Sequence, residues 1–148
     1  METRRKQSIA YLAGMIDADG YIGITKAKPV TGNTKNPRYG LTVNVTNTSK
    51  QLMDWLVENF GGKVYTRKHL PGVNWKTTYN WIVTFGNASE LLKLVEPFLV
   101  VKREQALLGI ELIRDWVTDN RGTPPEEVSR REMIYRKFKN WKIDLTDE

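Results

Sequence analysis

The 148-residue sequence contains no cysteine and a single histidine, His69. Without thiols there is no disulfide framework, no thiolate zinc site and no cysteine nucleophile. One histidine leaves no multi-histidine metal site and makes a Ser-His catalytic pair a poor reading. Any chemistry falls to carboxylates, lysines, amides and water. No apolar run approaches the roughly 20 residues needed to span a bilayer. The start, Met1-Glu-Thr-Arg-Arg-Lys, leads into a helical pattern rather than a signal-peptide core. No membrane partner is expected. With 40% hydrophobic and 27% charged residues, the composition is that of a folded domain. No linker divides it, so a single domain over residues 1–148 is expected.

Acid is also missing from two stretches. Residues 21–40 carry Lys26, Lys28, Lys35 and Arg38, and residues 61–85 carry Lys63, Arg67, Lys68 and Lys76, with no Asp or Glu in either. The formal charge of the chain is +6, so these two stretches hold more than the whole excess. Both read as β-hairpins. Basic strands interleaved with Thr, Asn and Tyr suit a polyanion, with cations for phosphate and amides and hydroxyls for base edges. Chance depletion of acids on a solvated sheet face is the plainer alternative, weakened because the segregation occurs twice.

Periodicity gives an α-β-β-α-β-β-α order with helices appended. Ser8 caps a helix to about Ala18, stopped by Gly20. Strands follow at 21–28 and 38–46, joined by a turn from Pro29 to Pro37. A second helix spans about 49–60 and ends at Gly61-Gly62. Strands at 63–69 and 77–85 form the second hairpin, Tyr79, Trp81, Val83 and Phe85 alternating on the apolar face. Asn87 and Glu90 form a capping box for a third helix ending near Pro97. A longer helix covers about 102–118, and Thr123-Pro-Pro-Glu126 opens a last one to about Asn140. Residues 126–148 carry six basic and six acidic side chains, so packing against the body is the better reading of that last helix.

If the apolar strand residues face the helices, the other sheet face shows Thr25 on the first strand and Arg38, Thr42, Asn44 and Thr46 on the second. Tyr65, Arg67 and His69 share a parity on the third, and the fourth shows Asn80 and Ile82. A two-stranded ribbon fits a major groove, and these side chains can read it, Ile82 through a thymine methyl. Lys26 and Lys28 are expected to hold phosphate whatever the base sequence.

The segment Leu12-Ala-Gly-Met-Ile-Asp-Ala-Asp-Gly20 is odd for a surface helix. Ile9, Leu12, Met15 and Ile16 are apolar, and Ala10, Gly14 and Ala18 make a small stripe at spacing four. Such a helix is buried on more than one side, and a small stripe lets another backbone approach. A second copy of the same helix is one partner, giving an isologous dimer with Ala10, Leu12, Ala13, Gly14 and Asp17 at its interface. Asp17 and Asp19 then meet at helix C-termini, where the dipole is already negative. A divalent cation held by oxygen ligands and shared with phosphate resolves that cost. The alternative is a local turn bond from Asp17 and a simple helix stop at Asp19-Gly20.

This nine-residue segment closely resembles the signature motif of the LAGLIDADG homing endonucleases, with Met15 in place of leucine. The element order extends the resemblance over about residues 8–118; residues 119–148 would be a C-terminal helical extension. The resemblance implies an α+β fold with an antiparallel, saddle-shaped sheet on DNA. It implies an intron-encoded type of nuclease, making a staggered double-strand break by Mg²⁺-dependent hydrolysis, with Mn²⁺ an alternative and Ca²⁺ a non-catalytic substitute. One motif per chain implies a homodimer and a near-palindromic target. Residue by residue, Asp19 is the metal ligand with the Ala18 carbonyl beside it, Asp17 shapes the helix end, and Lys102 matches the active-site lysine. Asn47 and Gln51 stand where single-motif relatives often have glutamine and arginine to order the attacking water. An RNA-binding maturase acting on intron RNA and a non-cleaving DNA-binding regulator are the alternatives on this fold. An organelle, a bacterial or archaeal cytoplasm, or a phage-infected cell would each suit.

Overall fold

A computed structural model describes residues 2–28, 36–68, 72, 76–116 and 123–146. His69, the body of the first hairpin turn and the expected end of the 102–118 helix lie outside the described residues. The first helix, α1 (Glu2–Asp19), runs straight into strand β1 (Gly20–Ala27). Then come β2 (Arg38–Asn47), α2 (Lys50–Phe60), β3 (Lys63–Arg67) and β4 (Thr78–Thr84). After these lie α3 (Phe85–Val95), a 3-10 turn (Glu96–Phe98), α4 (Arg103–Ile113) and α5 (Pro125–Thr146). The α+β order expected from the sequence is present.

The four strands form one antiparallel sheet in the order β1-β2-β4-β3. Strict alternation in β2 drives its position: Tyr39, Leu41, Val43 and Val45 are buried, while Arg38, Gly40, Thr42, Asn44 and Thr46 are not. With Ile22, Ile24, Trp81 and Val83 they meet Leu12 and Ile16 of α1, Leu56 of α2, Leu92 of α3 and Leu112 of α4 in one core. Trp81 anchors it, donating from Nε1 to the Gly61 carbonyl at 2.8 Å. Gly62, at φ +85°, leaves no room for a Cβ, which would lie 2.8 Å from that indole nitrogen.

Several boundaries differ from those expected. Ser8 does not cap α1 but sits inside it, its hydroxyl donating one turn back to the Arg4 carbonyl at 3.2 Å. The straight-chain Arg4, Arg5, Lys6 and Gln7 are good helix formers and carry the helix further back. Ser49 does cap α2, accepting from the Leu52 amide at 3.1 Å. The Asn87 capping box is absent: α3 begins at Phe85, whose φ is +54°. That backbone reversal removes Phe85 from the inward row of Trp81 and Val83. Helix α4 is shorter than its pattern, ending where Asp115 turns to φ +51°.

Helix α5 packs on the body through Ile134, Phe138 and Arg131, all buried. Arg130 reaches the carbonyls of Glu111 (2.7 Å), Leu112 (3.0 Å) and Arg114 (3.2 Å), closing the C-terminus of α4. Glu127 pairs with both Arg130 and Arg131, and the Arg130 hydrogen bond holds its carboxyl below the usual range. Among the described residues no helix is long and apolar enough to cross a membrane.

Candidate nucleic-acid interface and the end of the first helix

The strand register gives the composition of the uncovered sheet face. Facing pairs share a side, so Tyr21, Asn44, Ile82 and Lys63 form one row across all four strands. Thr46, Asn80 and Tyr65 form the next, with Thr46 Oγ1 donating to Asn80 Oδ1 at 3.1 Å. Gly23, Thr42 and Thr84 form another, and Thr25 faces Gly40 and Ala27 faces Arg38 beyond it. Arg67 faces Thr78 at the opposite corner. No acid lies in any of these rows. Thr25, Arg38, Thr42, Asn44, Thr46, Tyr65, Arg67, Asn80 and Ile82 are therefore brought together on one surface.

Two members of this surface went unnoticed in the sequence. Tyr21 shares the parity of Gly23 and Thr25, a signal that was available. Its ring lies across Gly23, whose added Cβ would stand 2.6 Å from the phenol oxygen. Lys63 shares the parity of Tyr65 and Arg67, and its pairing with Ile82 puts it in the same row as Asn44.

Lys26 is a correction. It faces Tyr39 and so points to the helical side. Its ammonium is 2.9 Å from Glu132 Oε2 and 5.6 Å from the Tyr135 ring centroid. Glu132 also accepts from the Tyr39 hydroxyl and from Arg136 Nε at 3.1 Å. The Tyr39 hydrogen bond, then Lys26, hold the Glu132 carboxyl down at about 2. Burial first and Glu132 second push the Tyr39 phenol well above its usual range. Lys28 lies just past β1, exposed, with the parity of Lys26.

At the C-terminus of α1 the two acids part company. Asp17 turns into the chain. Its Oδ2 accepts from the Val100 amide at 2.8 Å, and its Oδ1 from those of Val101 (3.2 Å) and Lys102 (3.0 Å). It thereby fixes the turn leading into α4. Lys102 answers from that turn: its Nζ donates to the Ile16 and Gly20 carbonyls, both at 2.7 Å. A cation on those carbonyls offsets the negative helix end. Asp19, by contrast, is exposed, and its carboxylate makes no hydrogen bond or ion pair among the described residues. Ala18 is exposed beside it.

Asn47 lies at the same end of the sheet, because Gly20 pairs with Val45. Its Oδ1 is engaged by the Ser49 amide at 2.9 Å, closing the turn before α2. Gln51 is exposed on α2 and lines a groove of about 390 Å³ with Tyr11, Leu52 and Trp55; no hydrogen bond joins it to Asp19.

The outward face of α1 also needs revision. Leu12 and Ala13 are wholly buried in their own chain and have no surface left to give a second copy. Ala10, Gly14 and Ala18 are exposed, and a Cβ on Gly14 would meet nothing within 4 Å. Asp17 is spent on the α4 turn.

Comparison with known structures supports this architecture. The structure of the homing endonuclease I-CvuI in complex with its DNA target and Ca superposes with a TM-score of 0.74 at 21% identity, covering 92% of this chain and 82% of that one. The archaeal intron-encoded homing endonuclease I-Vdi141I, complexed with DNA, gives 0.72 at 16% identity, over 90% and 83%. The meganuclease I-SmaMI gives 0.65 at 15% identity, with 86% of this chain on 43% of that one. At these identities the likeness is one of fold. No curated protein sequence matches the chain. The LAGLIDADG-like domain matches residues 6–97, more than half of the sequence, and the chain belongs to the LAGLIDADG family.

Proposed function

We propose that the chain is one subunit of a homodimeric, site-specific DNA endonuclease that makes a staggered double-strand break in a near-palindromic target. The observation that carries this reading is Asp19. Among the described residues its exposed carboxylate makes no hydrogen bond or ion pair, at a helix end that a lysine and a second aspartate hold in place. The fold it sits on is shared with I-CvuI and I-Vdi141I, both homing endonucleases seen with DNA.

The donor set fits a hard divalent cation. Asp19 offers a carboxylate, and the last carbonyls of α1, Ala18 among them, lack an amide donor four residues on within the helix. Among the described residues no three acids or histidines of one chain converge, so remaining ligands would come from a second copy, phosphate and water. Structures of I-CvuI were obtained in the presence of Ca and of Mg, the latter with its DNA not cleaved. When bound, Mg²⁺ or Mn²⁺ would acidify a water and offset charge on the scissile phosphate, whereas Ca²⁺ would fill the oxygen site without supporting hydrolysis.

The chain's own residues do the positioning. Asp17 holds the turn, the turn holds Lys102, and Lys102 keeps its charge on the helix end beside Asp19, where it favours an anionic phosphate. The Asn47 side-chain oxygen is committed to its turn, which leaves the NH₂ to orient a water. Ala10, Gly14 and Ala18 let a second α1 come close and bring two copies of Asp19 to one place. The sheet face supplies hydroxyls, amides and Ile82 for base edges, and Arg38, Arg67 and Lys63 for phosphate. A maturase or a silent regulator would have no need of Asp19 in this state.

Incubation of randomised near-palindromic duplexes with the protein and Mg²⁺, followed by sequencing of the ends, tests the proposal. Staggered cuts at one consensus are expected, absent with Asp19→Asn while binding persists. Cuts that survive Asp19→Asn, or enrichment by binding with no cuts from the native protein, would overturn it.

A further inference from the structure

Strand β4 is shorter than its neighbour. Its pairing with β2 stops at Thr42–Thr84, so Gly40 and Arg38 have no β4 residue beside them. Phe85 stands at that vacated edge. A Cβ on Gly40 would lie 2.8 Å from Thr25 Oγ1 and 3.9 Å from Phe85 Cε2. The ring edge therefore reaches the uncovered side of β2, not the core. Phe85 is 41% exposed, with φ at +54°, a conformation in which bulky L-residues are genuine outliers. That conformation sends the chain into α3 on the helical side while the ring stays with the sheet face.

The ring is also rigidly backed. Trp116 meets it edge-on at 4.9 Å between centroids and an interplanar angle of 87°. Trp116 in turn lies under the Arg131 guanidinium at 3.5 Å from its centroid, and Arg131 is buried. The exposed member of this stack is thus pre-organised and has little rotational freedom to lose on binding. Beside it on this face are bare Gly40 and the Thr25 hydroxyl, with Arg38 two residues along β2, in stretches of sequence free of acids. An apolar edge among a hydroxyl and a cation suits a base pair carrying a methyl group in a major groove.

We infer that Phe85 is a specificity-determining residue which reads a thymine methyl in each half-site, beside Thr25. The inference rests on the DNA-binding reading above. A merely structural Phe85 would cover Trp116 and leave base preference alone, and this difference can be measured. Phe85→Gly and Phe85→Asn both suit a positive φ and so keep the backbone turn. Native protein and both variants would select bound sequences from a randomised near-palindromic duplex library in Ca²⁺, with melting temperatures recorded alongside. The native consensus should hold thymine at one position per half-site. Uracil there, which lacks only the methyl, should weaken native binding about fourfold for each half-site, the effect of one buried methyl group. The variants should lose that thymine preference, ignore the uracil exchange and keep the rest of the consensus. An equal uracil penalty in native protein and variants, or no penalty in the native protein, would overturn the role of Phe85 while leaving DNA reading intact. Failure of the native protein to select any sequence would overturn the DNA-binding reading and this inference with it.

Discussion

The two motif aspartates should separate cleanly into one that holds the fold and one that does not. Asp17 accepts three backbone N–H bonds at 2.8, 3.0 and 3.2 Å from the turn at 100–102. Charge-assisted bonds contribute roughly 1.5–3 kcal/mol each when buried, but Val100 and Val101 are exposed, and water replaces the carboxylate there. Removing an anion from the helix C-terminus also returns a few tenths of a kcal/mol. The net cost of Asp17→Ala is therefore about 2–3 kcal/mol. For a domain of this size that lowers the melting temperature by about 5–10 °C. Asp19→Ala loses no hydrogen bond or ion pair among the described residues and should change stability by less than about 0.5 kcal/mol. Thermal melts of the two variants at matched, dilute concentration read the difference directly. Equal destabilisation by both, or a larger loss at Asp19, would refute this division of labour.

Gly14 is exposed and a Cβ there would meet nothing within 4 Å, so Gly14→Leu should be accommodated and gain about 0.7 kcal/mol of helix propensity. The monomer should stay folded while sedimentation shows loss of the dimer; a surviving dimer would refute the close α1 pairing. Lys26→Ala should cost about 0.5–1 kcal/mol of stability through the lost Glu132 pair and leave the salt dependence of DNA binding unchanged, whereas Arg38→Ala should flatten it. Glu132 has a carboxyl lowered to about 2, so its contribution is complete above its unfolded value near 4.5 and fades as pH falls towards 2. Glu132→Gln should therefore flatten the acid limb of melting temperature against pH.

How much of this was legible in the sequence depends on how far each residue's partner lies along the chain. Alternation in β2 fixed both of its faces, because burial there obeys the two-residue period alone. The same period assigned Lys26 to the side of Ile22 and Ile24. The charge of the segment pointed the other way, and what decides between them is Glu132, more than a hundred residues on. Phe85 fails for a different reason. Alternation placed it inward with Trp81 and Val83, and a single positive φ at the strand end reverses it, a change no periodicity can report. The family resemblance assigned Asp19 to metal and Asp17 to shaping the helix end, but the motif residues alone gave no physical reason for that division. That required the turn at 100–102, which returns three amides to Asp17 and an ammonium to the carbonyls of Ile16 and Gly20. Asp17 is consumed in building the helix end, and Asp19 is left over. A carboxylate that makes no hydrogen bond or ion pair among the described residues, on a helix end held by Asp17 and Lys102, is the group there with its oxygens open to a ligand, which is why the proposed cleavage is tested first at Asp19.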